Sequence, residues 1–183
     1  MEYPTKYESK FQLDDGTEIY VRPIKPTDID HMAKLFKKFS PQTVYFRFFS
    51  ALKSMPIDRL RSFCNIDYEH EMALVASIRD RTGETLLGVA RYAVTPDRGG
   101  AEFAVVVADA WQNRKIGTNL FERLVDIAKD HGIETFHGLV MEENRRALGM
   151  IRNSGYKYKE VPGGHGVTRI DIELRSVRSR RKR

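Results

Sequence analysis

The alternation of apolar and polar positions divides the chain into strands and helices. Residues 18–24 (EIYVRPI) follow the two-residue period of a strand that buries one face. Ile29, Met32, Ala33, Leu35 and Phe36 then fall on one helical stripe, with Thr27 placed to cap a helix running to about Phe39. Ser40-Pro41 restarts a second helix over SPQTVYFRFFS, because proline suits a first turn that needs no N–H donor. Pro56 opens a third, PIDRLRSFC. Three apolar runs follow at 72–78, 86–94 and 101–108, joined by turns at Thr82-Gly83-Glu84 and at 96–100. The period then changes: Ile116, Leu120, Leu124 and Ile127 predict a helix ending near His131-Gly132, with Gly132 as its C-cap. A strand at 133–140, a helix at 142–153 bearing Ala147, Met150 and Ile151, and a strand from Gly155-Tyr156 come next. The turn Gly163-Gly164-His165-Gly166 leads into a last strand at 167–174. With no repeat and no linker, this order predicts one mixed α/β (α+β) domain over residues 1–174. Its central sheet is largely antiparallel and flanked by helices.

Charge alters the picture at one end only. The 183 residues carry a net charge of +6, but residues 175–183 hold six Lys/Arg and no acid, so 25 basic and 25 acidic residues remain in the body. The basic character belongs to a tail, SVRSRRKR, too polar and self-repelling to fold. Such a tail is either solvated or an electrostatic contact for nucleic acid or an acidic partner, while the balanced body offers nucleic acid no binding face. The single cysteine, Cys64, rules out an intramolecular disulfide and fits a reducing cytoplasm. Beside Phe63 it reads as a small core residue more readily than as a reactive thiol. No apolar run approaches membrane-spanning length, and MEYPTKYESK has no signal-peptide core, so a soluble cytoplasmic chain is expected. The histidines show no metal-ligand spacing, and no metal is expected.

Residues 101–131 carry most of the chemistry. Glu102 is the one ionisable residue in the apolar run AEFAVVVA, and the loop Gln112-Asn113-Arg114-Lys115-Ile116-Gly117 feeds the long helix. The first N–H groups of a helix lack intrahelical partners and face a positive dipole, which is how such termini hold phosphate. On these features alone, an ordinary strand–loop–helix connection and a phosphate cradle are equally good readings. A second site candidate is the aromatic-rich segment around Arg47. It either covers the core or turns Tyr45 or Arg47 into an acceptor pocket.

The loop resembles the pyrophosphate loop Q/R-x-x-G-x-G/A of the GNAT N-acetyltransferase superfamily. Gln112, Arg114, Ile116 and Gly117 match, and Lys115 stands where the first glycine is usual. Asn144 and Ala147 followed by Gly155-Tyr156 resemble the family's N-x-x-A…G-F/Y pattern. Three further stretches, DGTEIYVRPIKPTDID, YFRFFS and the AEFAVVV bearing Glu102, are similar to the catalytic domain of bacterial protein-lysine acetyltransferases that modify acyl-CoA synthetases. The resemblance implies acetyl-CoA as donor, coenzyme A as product, and a protein lysine as acceptor, an acyl-CoA synthetase among the candidates. It places the cofactor on the main chain of Val105, Val106 and Val107, on the loop from Gln112, Asn113, Arg114 and Lys115 through Ile116, Gly117 and Thr118, and beside Asn144. Many members have a tyrosine general acid seven residues after that asparagine. Here the position is Ile151, so that role does not carry over.

Acyl transfer to an amine needs the neutral amine, and a lysine of pKa ~10.4 is neutral in only about one molecule in 10³ at pH 7. A carboxylate that accepts the ammonium proton supplies it. Glu102 is the candidate, since a carboxyl among apolar neighbours should be pushed up toward the range of a base. The alternative is that Glu102 is half exposed or paired with Arg91. Acetylation of a small amine, and a degenerate acyl-CoA sensor suggested by Lys115 and Ile151, are the competing functions.

Overall fold

The computed structural model describes residues 2–95 and 100–177. Eight strands form one sheet in the order β1-β2-β3-β4-β5-β6-β8-β7. They are β1 (Ser9–Gln12), β2 (Glu18–Pro23), β3 (Glu71–Asp80), β4 (Gly83–Thr95), β5 (Gly100–Val107), β6 (Thr135–Met141), β7 (Tyr156–Gly164) and β8 (Val167–Val177). Every neighbouring pair is antiparallel except β5 and β6, which run parallel. Five helices cover it: α1 (Ile29–Phe36), α2 (Pro41–Phe48), α3 (Ile57–Cys64), α4 (Ile116–Asp130) and α5 (Arg145–Asn153).

The alternation of each strand divides the core between the two faces. Leu74, Leu87, Phe103 and Phe136 point to the face covered by α4, whose Leu120, Phe121 and Leu124 are buried against them. Ala73, Val75, Val89 and Val106 point to the other face, where Met32, Leu35, Leu60 and Cys64 of α1 and α3 close the core. Burial pushes the Cys64 thiol up to about 11, so it is an inert core residue. Among the described residues no helix is long and apolar enough to cross a membrane.

Four local expectations change. Strand β1 is additional; its four residues carry too short an alternation to register as a strand. Helix α1 begins at Ile29, because Asp28, not Thr27, is the buried residue at its start. The Asp28 carboxylate is held by Arg22 at 2.7 and 2.8 Å and also accepts the Lys25 N–H at 2.7 Å. Helix α5 begins at Arg145, three residues late, with the Asn144 side chain accepting the Ala147 N–H at 3.1 Å as its cap. Strand β8 continues to Val177, so the first residues assigned to the tail belong to the sheet, where Arg175 pairs with Glu134 at 2.8 Å. The rest of that tail lies outside the described residues.

Candidate active site

The sheet is interrupted between β5 and β6. Only Ala101↔Phe136 and Glu102↔His137 pair, and beyond them the two strands part. Phe103 occupies the fork: a Cβ on Gly138 of β6 would lie 2.6 Å from its ring, so only glycine leaves room there. The ring stacks on Phe136 at 5.4 Å and packs against Phe121 of α4 at 5.4 Å. From Phe103 to Val107, the side of β5 facing β6 therefore has no strand partner among the described residues. A cavity of about 480 Å³ opens along it. Its walls include Glu102, Val105–Val107, the loop after β5, Asn144 and Ile151 from around α5, and Arg47 from α2.

One end of this cavity is the start of α4. Lys115, the N-cap, has left-handed backbone (φ 65°) and gives the helix no side-chain cap. The N–H groups of Ile116, Gly117 and Thr118 are thus the unpaired donors of a helix N-terminus. Asn113 is left-handed too (φ 61°), and residues of this kind turn successive amides toward one side. A phosphate fits these donors, and the loop is held in shape without one. The Gln112 amide donates to the Val107 carbonyl at 3.0 Å and to the Thr43 hydroxyl at 3.2 Å, while Arg146 of α5 donates to its oxygen. Asp109 accepts the Ser40 N–H at 2.9 Å, the Ser40 hydroxyl at 2.6 Å and the Thr43 hydroxyl at 3.0 Å. The start of α2 is thereby tied to the loop.

The two loop cations are paired with carboxylates of the turn between β1 and β2. Arg114 pairs with Asp15 and lies 4.6 Å from the Trp111 ring, and Lys115 Nζ is 3.2 Å from both oxygens of Asp14. Gly117 has no positive φ, and a Cβ there would meet Val107 and Val105 at ordinary distances of 3.5 and 3.7 Å. The glycine-requiring position is Lys115. Lys115→Gly is expected to raise the unfolding free energy by roughly 0.5–1 kcal/mol, since glycine accepts left-handed backbone without penalty. The ion pair lost is largely solvent-exposed and contributes little. A lower denaturation midpoint for the variant would contradict this.

Glu102 lies at the other end of the cavity, at the point where β5 and β6 part. It is exposed, so the burial expected of it among apolar neighbours is absent, and Arg91 is not its partner. Arg91 instead donates to Glu71 at 2.7 Å. Ile151 is buried in the core, and nothing there can donate a proton. Of the helix rich in aromatics, only Val44 is buried, so α2 is not mainly a core cover. Tyr45 is exposed, while Phe46, Arg47 and Phe49 line the cavity. The pairing of Glu102 with His137 across the fork was not legible in the sequence. His137 donates from Nδ1 to the Asp171 carboxylate at 2.9 Å.

A mixed sheet forked beside an uncapped helix start is the framework of an N-acetyltransferase domain. Residues 34–156 match the Acetyltransferase (GNAT) family, and this chain belongs to it. It is 30% identical over 133 residues to Acetyltransferase PA5475 of Pseudomonas aeruginosa, which covers 73% of this chain and 72% of that one. It is 25% identical over 162 residues to Acetyltransferase Pat of Mycolicibacterium smegmatis, covering 88% of this chain but 48% of that protein, about half its length. The crystal structure of the GNAT domain of S. lividans PAT superimposes with a TM-score of 0.84 at 27% identity, covering 94% and 99% of the two chains.

Proposed function

We propose that the protein transfers the acetyl group of acetyl-CoA directly to the ε-amine of a lysine in a protein acceptor. The observation that carries this reading is the unpaired edge of β5, which joins an anion-binding helix start at one end to a carboxylate, Glu102, at the other. In this scheme the amides of residues 113–118 hold the pyrophosphate, and Asn144 borders the path between it and β5. The main chain of Val105–Val107 pairs with the pantetheine arm as a strand would. Acetyl-CoA, when bound, supplies the acetyl group as a thioester. Glu102 accepts the ammonium proton of the acceptor, directly or through water, and its exposure lets that proton pass on to solvent. With Ile151 where a tyrosine is common, water returns the proton to the departing thiolate.

The likeness to Pat proteins supports a protein acceptor, an acyl-CoA synthetase being the first to try. Labelled acetyl-CoA incubated with a panel of purified acyl-CoA synthetases should mark at least one on lysine. Label on small amines alone would favour the small-molecule reading. No transfer to any amine would favour a cofactor sensor. The cofactor half is tested separately by heat. Acetyl-CoA at a hundredfold excess over its Kd should raise the melting temperature by roughly 5–10 °C by mass action. Pantetheine, lacking the phosphates, should raise it far less. Equal stabilisation by both would remove the phosphate cradle.

A further inference from the structure

Next to Glu102 stands a group of positive charges with too few acids. Arg47, on α2, borders the cavity that holds Glu102 and also a small apolar cavity behind it, lined by Phe48, Phe63 and Arg91. Its guanidinium carbon is 5.0 Å from the centre of the Phe48 ring. The Arg59 guanidinium is 5.1 Å from that same ring and 5.5 Å from Phe63, and Arg91 is 4.6 Å from Phe63. Three guanidiniums and two rings thus form a ladder, Arg47–Phe48–Arg59–Phe63–Arg91, leading from the cavity to the surface at Arg59, which is exposed. Only Arg91 has a carboxylate, that of Glu71 at 2.7 Å. Neither the Arg47 nor the Arg59 guanidinium makes a hydrogen bond or ion pair with any described residue.

An unpaired guanidinium in a partly closed cavity is unfavourable, and its rings compensate only in part. Burial, then repulsion from Arg91 and Arg59, lowers the Arg47 pKa to about 10, with Glu102 the one nearby charge that opposes this. A lone ammonium entering beside Arg47 meets like charge. An acceptor that brings its own anion meets a waiting partner instead. Of the ladder only Arg47 borders the cavity that includes the loop at 112–118, and no residue of that loop lines the cavity shared by Phe48, Phe63 and Arg91, so the anion is assigned to the acceptor and not to the donor's phosphates.

Building on the protein-lysine reading, we propose that Arg47 and Arg59 bind a carboxylate which the acceptor carries within a few residues of its acetylated lysine. The substrate class is therefore a lysine in an acidic segment. Arg47 takes the carboxylate nearest the amine, and the exposed Arg59 takes a second or steers the segment in.

The test compares matched peptides in which one lysine is flanked by Asp/Glu or by Asn/Gln, with free lysine and its decarboxylated counterpart cadaverine as small acceptors. With acetyl-CoA and the full chain, kcat/KM for the acidic peptide should exceed the neutral one by roughly 10–100-fold, as for hydrogen bonds to charged groups. The ratio should shrink as salt is added. Arg47→Gln should bring the ratio close to one, Arg47→Lys should keep part of it, and Arg59→Glu should shift preference toward peptides flanked by arginine. Arg59 is exposed, so that variant folds whether or not Arg47→Gln does, and the acetyl-CoA melting shift checks both. Equal rates on the two peptides in the native enzyme would overturn the proposal. So would a preference for succinyl-CoA over acetyl-CoA that Arg47→Gln removes, with no preference among acceptors, since the anion would then belong to the donor. If no peptide is acetylated yet free lysine is used over cadaverine, the protein-acceptor reading falls while the carboxylate site stands. Equal use of lysine and cadaverine defeats the site as well.

Discussion

Glu102→Gln is expected to lower kcat by roughly 10²–10⁴-fold, the usual worth of a positioned base, while the melting-temperature rise produced by acetyl-CoA stays intact. The substitution keeps the side chain's size, and the side chain is exposed, so the fold has little to lose. The cofactor is assigned to the main chain of β5 and the start of α4, which the variant leaves in place. What disappears is the carboxylate proposed to take the acceptor's proton where β5 and β6 part. Below the amine's own pKa the neutral fraction grows about tenfold per pH unit, so the variant's rate should climb with that slope as solution replaces the base. The native enzyme should depend on pH less steeply over the same range. Unchanged kcat and an unchanged pH profile in the variant would make Glu102 structural.

Arg22→Met is expected to lower the unfolding free energy by roughly 3–5 kcal/mol, the penalty for breaking a buried ion pair from one side. Arg22 and Asp28 are both 3% exposed at the side chain and form a two-pronged pair at 2.7 and 2.8 Å. Glu84 completes the group, 2.8 Å from Arg22 and 2.6 Å from the Ser77 hydroxyl. Methionine fills the volume but leaves two carboxylates without their cation. Burial alone would raise the Glu84 pKa, but hydrogen bonds from Arg22 and Ser77 and the Arg22 and Arg79 charges outweigh it and hold the carboxyl at about 2. Asp28 is lowered by the same balance of burial against Arg22 and the Lys25 amide. Carboxylates depressed on folding stabilise above their unfolded pKa of ~4 and lose that contribution as pH falls through the folded values. Native stability should therefore drop between about pH 4 and pH 2, and the variant should show a flattened or reversed slope there. A loss under about 1 kcal/mol, or an unaltered slope, would mean the network relaxes onto other partners.

These two residues mark what the sequence could and could not disclose. Glu102 was legible because strand, loop and helix follow one another within 30 residues, and the change of period between Val107 and Ile116 marks the junction. Its surroundings were not. That β5 is uncovered at this point depends on Gly138 admitting the Phe103 ring, and Gly138 belongs to a strand 35 positions later. The Arg22–Glu84 contact spans 62 positions, and nothing in the stretch DGTEIYVRPIKPTDID that holds Arg22 points to the turn that holds Glu84. Arg91 was a plausible neighbour for Glu102 by strand adjacency, yet the actual pairing sets it opposite Ala104 and gives it Glu71 from β3. Lys115 was legible only as the residue standing where the first glycine is usual. Its left-handed backbone, which the usual glycine predicts, and its approach to Asp14 needed the β1–β2 turn in place.

The fork between β5 and β6 bears also on how the protein keeps apart from copies of itself. An unpaired strand edge is a template for joining another chain's sheet, and proteins normally blunt or cover one. Here the edge lies inside the sheet, below the loop after β5 and beside α5, with β6 returning to close its far end at Ala101 and Glu102. A second sheet cannot be laid against it, because β6 and β8 already occupy that side beyond the fork. Only a single thin, extended thread can enter and satisfy the exposed amides and carbonyls. The pantetheine arm of the proposed donor meets that requirement, and a fork of this shape also denies the edge to aggregation.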